Sequence, residues 1–166
     1  GVKFAVGEER EIPLEQKETM DVLLIKPGMY PQAVKIGCEL EDLQAAVGGD
    51  IEATYPFDDE VALVMNGEGK INGSELNRSL KTEDGELYDI IAGNFLVTGL
   101  TEDDFGSLSP ELMDKFEKHF HQPEMFVRMG RSIMAMPLPD DKVRKADAPE
   151  KSDVQQVRSS PDRDSL

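Results

Sequence analysis

Two apolar runs limit what this chain can fold into: VALVM at 61–65 and IIAGNFLVTGL at 90–100. Both are rich in β-branched and aromatic residues and bounded by turn residues, the signature of strands. Between them lies GEGKINGSELNRSLKTEDGELYD. Asn66-Gly67 is a favoured tight-turn dipeptide, so Lys70-Ile71 is expected to pair back briefly. Ser74 then fits the N-cap of a short helix, with Leu76 and Leu80 stacked at i, i+4. On this reading Asn77 and Arg78 ride on that helix. Asp89 to Leu100 is expected to be one long strand, with Gly93 marking a bulge or a close backbone approach.

The flanking segments fit around this centre. DVLLIK (21–26) ends at Pro27-Gly28, and a second short strand over 33–38 completes a hairpin across PGMYPQ. Leu40, Leu43 and Val47 form one helical stripe, with acids loading the first turn and Gly48-Gly49 supplying the stop. Residues 51–57 alternate as a strand, and Val61, Leu63 and Met65 continue that period of two. Ser109-Pro110 caps a second helix, whose Leu112, Phe116 and Phe120 recur every four residues until Pro123. Two Met-rich extended pieces, 125–129 and 132–136, flank Gly130.

These elements predict an α+β domain over residues 20–138, a mainly antiparallel sheet of about five strands with two or three helices packed on it. Residues 1–19 are an N-terminal extension in which Pro13 interrupts any helix. Residues 139–166 are polar and aperiodic, and a disordered tail is expected there.

The net charge of −16 is unevenly spread. Residues 20–100 hold five Lys/Arg against fifteen Asp/Glu, and residues 142–166 hold six against five. So acidic a body disfavours direct binding to nucleic acid, which needs clustered cations. It favours a protein partner with a basic surface. No apolar run reaches the ~20 residues of a membrane span and no signal segment opens the sequence, so no membrane association is expected. The single cysteine, Cys38, excludes an internal disulfide and suits a reducing cytoplasm.

Several glycine-rich and polar motifs invite chemical readings. With Gly69 at the sixth position of a calcium loop, Asn66, Glu68 and Glu75 fall at tolerable places. Val64, however, stands where the first carboxylate is required. A phosphate loop fails too, because it needs a glycine at 64 and a hydroxyl at 71, where the chain has Val64 and Ile71. His119 and His121, at i, i+2, lie on different helix faces and lack metal-pair spacing; their place at a helix C-terminus accounts for them. No sequence pattern assigns a catalytic residue, a metal ligand or a cofactor.

Asn77 and Arg78 are the candidate ligand-binding pair. A guanidinium and an amide side by side can grip a carboxylate or phosphate. The plainer alternative pairs Arg78 with a neighbouring acid and leaves Asn77 capping a turn or helix end. Four acidic clusters are candidates for contacting a basic partner: Glu39/Glu41/Asp42, Asp58/Asp59/Glu60, Glu83/Asp84/Glu86 and Glu102/Asp103/Asp104. Their plainer reading is a solvated surface.

The blocks VGGDIEA (47–53), VALVMNGEGK (61–70), GSELNR (73–78) and IIAGNFLVTG (90–99), in that order, resemble an uncharacterised domain family of bacteria and of their phages and conjugative elements. DFGSLSPELMDKFEKHFHQPEMF (104–126) is similar to a segment of the same mobile-element proteins. The resemblance covers roughly residues 20–100, with 101–138 as a helical and extended appendage. It implies a non-enzymatic interaction or accessory module of a mobile genetic element, in a genetic setting shared with anti-restriction proteins. An acidic DNA mimic that inhibits a DNA-binding defence enzyme, and a pocket for a small anion at Asn77/Arg78, are the alternatives.

Overall fold

The computed structural model describes residues 18–69 and 73–145. Among them are ten strands: β1 (Thr19–Ile25), β2 (Gln32–Gly37), β3 (Ile51–Thr54), β4 (Val61–Asn66), β5 (Leu76–Lys81), β6 (Leu87–Ala92), β7 (Phe95–Leu100), β8 (Phe105–Gly106), β9 (Glu124–Met129) and β10 (Ser132–Pro137). Two α-helices join them, α1 (Leu40–Val47) and α2 (Pro110–His119). The main sheet has the order β2-β1-β7-β4-β3 with β8 paired to β7, and β5-β6 and β9-β10 form two further two-stranded sheets. All these pairings are antiparallel. The fold is therefore mostly β, which corrects the α+β class expected from sequence.

The correction comes chiefly from three places. Residues 76–81, expected as a helix, are strand β5, because a spacing of four between Leu76 and Leu80 satisfies period 2 as well as period 3.6. Pairing with the apolar end of β6 decides between them. The expected long strand 89–100 is two strands, separated where Gly93 takes φ 79 and turns the chain into β7. An added Cβ on Gly93 would lie 3.3 Å from the Ser74 side chain, not from a neighbouring backbone. Finally, β9 and β10 pair as a hairpin through a two-residue turn at Gly130-Arg131.

Strand β7 is central, and Phe95 to Thr98 are completely buried. One face of the main sheet presents Leu23, Ile25, Leu63, Phe95 and Val97 to Phe116 and Phe120 of the α2 segment and to Leu80 and Ile91 of β5-β6. The other presents Met20, Val22, Val64 and Leu96 to Leu43 and Val47 of α1. The consecutive apolar residues of β4 and β7 fit a sheet covered on both sides. The stripe expected on α1 holds for Leu43 and Val47, whereas Leu40 is exposed. Gly48 ends α1 with φ 85, and Ser109 Oγ caps α2 by accepting from Leu112 N at 3.2 Å.

Residues 139–145, composed like the polar tail, dock on the domain. Asp140–Lys142 form one 3-10 turn. Arg144 N–H then donates to Gly28 O at 2.8 Å. Its guanidinium donates to Pro27 O at 3.1 Å and to both carboxylate oxygens of Glu75 at 3.1 and 2.7 Å. The N-terminal extension to residue 17, the pairing expected at Lys70-Ile71 and the tail from 146 onward lie outside the described residues. No helix among the described residues is long and apolar enough to cross a membrane.

Where β7 meets β8, Gly99 faces Gly106, and a Cβ on Gly99 would overlap the Ser107 carbonyl. Gly99→Ala is expected to lower stability by about 2–4 kcal/mol through forced backbone movement. Urea unfolding of the variant beside wild type measures it.

Candidate functional site

The sequence-selected pair Asn77–Arg78 sits on β5 at a break in register. Leu76 pairs with Ala92 and Arg78 with Ile91, so the intervening Asn77 has no residue opposite it. Such a bulge re-aims side chains. It accounts for two adjacent residues, normally on opposite faces of a strand, both pointing inward. Asn77 is 0% and Arg78 2% exposed.

Burying an amide and a guanidinium is tolerable only when their polar atoms are paired. Asn77 Nδ2 donates to Ile25 O at 3.0 Å and to Gly93 O at 2.8 Å. Its Oδ1 accepts from Arg78 Nη1 at 2.9 Å. Arg78 Nε donates to Phe120 O at 3.0 Å and Nη2 to Met29 O at 2.7 Å. The pair therefore ties together the end of β1, the β1–β2 loop, the β6–β7 turn and the residue after α2.

Among the described residues Arg78 forms no carboxylate hydrogen bond. Burial pushes its pKa down to about 10, partly countered by the charge of Glu124. The Glu124 carboxylate instead accepts from Ser79 N at 2.6 Å and Ser79 Oγ at 3.0 Å. The hydrogen-bond partners of Arg78 among the described residues are thus two backbone carbonyls and the Asn77 amide oxygen, where the sequence suggested a neighbouring acid or a ligand. Of its five N–H groups, one on Nη1 and one on Nη2 remain beyond these bonds.

Beside the pair runs a double cleft. A hollow of about 260 Å³ is lined by Arg78, Lys81, His119, Gln122 and Glu124. A wider one of about 530 Å³ continues between Phe57, Asp59, Tyr88 and Lys115, and shares Lys81 and His119 with the first. Lys115 is tied to both Asp59 oxygens at 2.9 Å. The His119 ring stands edge-on to Phe57 at 5.1 Å and to Phe120 at 4.7 Å between centroids. Partial burial, and then the charge of Lys115, push its pKa below the ordinary imidazole value. His121 has a separate role, stacking on Tyr30 at 4.7 Å and bonding Glu117 at 2.9 Å. Among the described residues, no group of three or more His, Cys, Asp or Glu is placed to hold a metal ion.

Two surface features escape the sequence reading. The first is at Cys38, whose thiol pKa is raised by burial and then by Glu18, Asp104, Asp42 and Glu39. Two clusters about sixty residues apart in sequence thus converge, with Glu18, at one end of the main sheet. No local pattern encodes that meeting, which follows from the sheet topology.

The second is one face of the β9-β10 hairpin. The register pairs Met125 with Met136, Val127 with Met134 and Met129 with Ser132, so all six share a face. The five apolar residues are each between 36% and 52% exposed. Phe126, Ile133 and Ala135, on the opposite face, are half-buried. Alternation of Met and Val on either side of Gly130-Arg131 was the available signal, and reading the two pieces only as Met-rich and extended left the exposed face unidentified.

A family model described as a domain of unknown function (DUF3846) matches residues 20–121, and the chain belongs to that family. No curated protein and no solved structure matches it. The matched stretch contains every partner of the Asn77–Arg78 pair and stops before the hairpin.

Arg78→Ala leaves three acceptors, two of them backbone carbonyls, without their donor, and is expected to destabilise by about 3–5 kcal/mol. Denaturant midpoints read this directly. His119 gives a pH dependence of definite sign. Its folded-state pKa lies below the ordinary 6.5, so the unfolded chain binds the proton more readily. Its contribution is full above pH 6.5 and is lost as pH falls through the lowered value. The difference in stability between wild type and His119→Gln should shift against wild type between pH 7.5 and 5, measured by urea titration.

Proposed function

We propose that this DUF3846 member is a non-enzymatic interaction module, an accessory protein of a mobile genetic element that acts by docking to another protein chain. The setting rests on the resemblance of the four sequence blocks. The docking reading rests on one observation, the contiguous exposed face of Met125, Val127, Met129, Met134 and Met136. Exposed apolar patches of this kind mark interaction sites, and Met adapts its shape to a partner better than branched side chains. The commitment of the Asn77–Arg78 polar atoms to four backbone carbonyls and to each other fits a pair that holds the scaffold.

The acidic end supports a second surface with a different partner. Glu18, Glu39, Asp42 and Asp104 focus negative potential around Cys38, which favours a basic protein surface and repels nucleic acid. An acidic DNA mimic would use this end. Its signature is salt-sensitive association with a DNA-binding enzyme, competed by duplex DNA and weakened by Glu39→Gln with Asp104→Asn.

The docking reading is tested by a photo-crosslinking amino acid placed at position 134 in the expressed full chain. Discrete protein adducts are expected from position 134 and not from position 52 on β3. Adducts from neither position, in a folded protein, would remove the basis of the proposal.

A further inference from the structure

We infer that the partner seated on the Met face is a second copy of this chain, an inference that rests on the docking reading above. The hairpin is charged unequally along its length. Arg131 is exposed at the turn, and no ion pair involves it among the described residues. At the other end of β10, Asp140 and Asp141 open the 3-10 turn that Lys142 closes. Asp140 is engaged by Tyr30 Oη–H at 2.9 Å, and Asp141 is exposed. Eight residues separate Arg131 from Asp140, the six of β10 and then Leu138 and Pro139, and the strand alone spans roughly 20 Å at ~3.4 Å per residue.

A two-fold axis lying between two such faces, and across the strands, sets the hairpins antiparallel. Arg131 of each copy then lies over the Asp140–Asp141 turn of the other, and both charge pairs form at once. That axis passes between Met134 and Met136, so the same operation overlaps the two apolar faces at Met125, Val127, Met134 and Met136, at the ~10 Å spacing of packed sheets, with Met129 at the edge. A two-fold interface requires a surface complementary to itself. This face has that property in charge, through its cationic tip and acidic base. It has it in shape through the flexible thioethers. The hairpin lies past residues 20–121 that define the family, so the pairing surface is not part of what the family match covers.

Five half-exposed side chains per copy bury less than the ~1,200 Å² of a standard interface, so the dimer is weak and concentration-dependent. Sedimentation velocity on the full chain is expected to show a monomer–dimer equilibrium with half-association at roughly 10–500 µM, the range of small interfaces. Met134→Glu should raise that midpoint at least tenfold while leaving the circular dichroism spectrum unchanged. Arg131→Glu and Asp141→Arg should each weaken association several-fold, and the double variant should recover most of the loss.

A wild-type chain that stays monomeric at millimolar concentration overturns self-pairing. So does a Met134→Glu variant that associates as well as wild type. The crosslinker at position 134 separates this inference from the docking reading: adducts of twice the chain mass support both. Adducts with other proteins alone overturn the second copy and leave the docking reading standing, whereas no adduct at all removes both.

Discussion

A buried guanidinium held, among the described residues, by backbone carbonyls and one amide is the constraint on which this structure turns. Arg78 and Asn77 reach four segments that are far apart in sequence, at Ile25, Met29, Gly93 and Phe120. Each of those carbonyls receives a donor from the pair. The pair therefore fixes where the β5-β6 hairpin lies against the main sheet and where α2 ends. Apolar packing supplies most of the driving force, through two clusters on either face of β7. Packing alone is tolerant of small shifts, and directional hydrogen bonds to fixed carbonyls are not.

Strand pairing in the outer parts was largely legible in the sequence. The β1-β2 hairpin, the stop of α1 at Gly48, the Ser109 cap of α2 and the extended pieces around Gly130 all follow from local signals. Local signals suffice where the partner is the next element along the chain. They failed at β5, where Leu76 and Leu80 fit two periods and the deciding partner, β6, had itself been merged into a longer strand. The composition of 139–145 also misled, since Arg144 is held by three acceptor groups that only the fold brings near.

The candidate site shows the same limit. Choosing Asn77 and Arg78 from the sequence found a position of consequence, because a charged residue between apolar runs demands a reason. What the sequence left open was the identity of the acceptors, and these are backbone atoms without side-chain identity. The convergence of Glu39, Asp42 and Asp104 around Cys38 was hidden for a related reason. Charge counts along a chain record how much acid there is, and topology decides where it gathers.

The Leu138 clasp has a bearing on how this protein can change. Pro123 O accepts from Leu138 N at 2.8 Å, and Gln122 Nε2 donates to Leu138 O at 2.8 Å. The chain thus leaves the body and returns to it at one point, and the hairpin between is held to the body chiefly on its Glu124 side, where Ser79 donates to that carboxylate. Residues added or removed in cross-strand pairs near the Gly130 turn would lengthen or shorten that excursion without displacing the sheets beneath it. The length of the hairpin is in this sense set independently of the Arg78 network, whose hydrogen-bond partners lie outside 124–137.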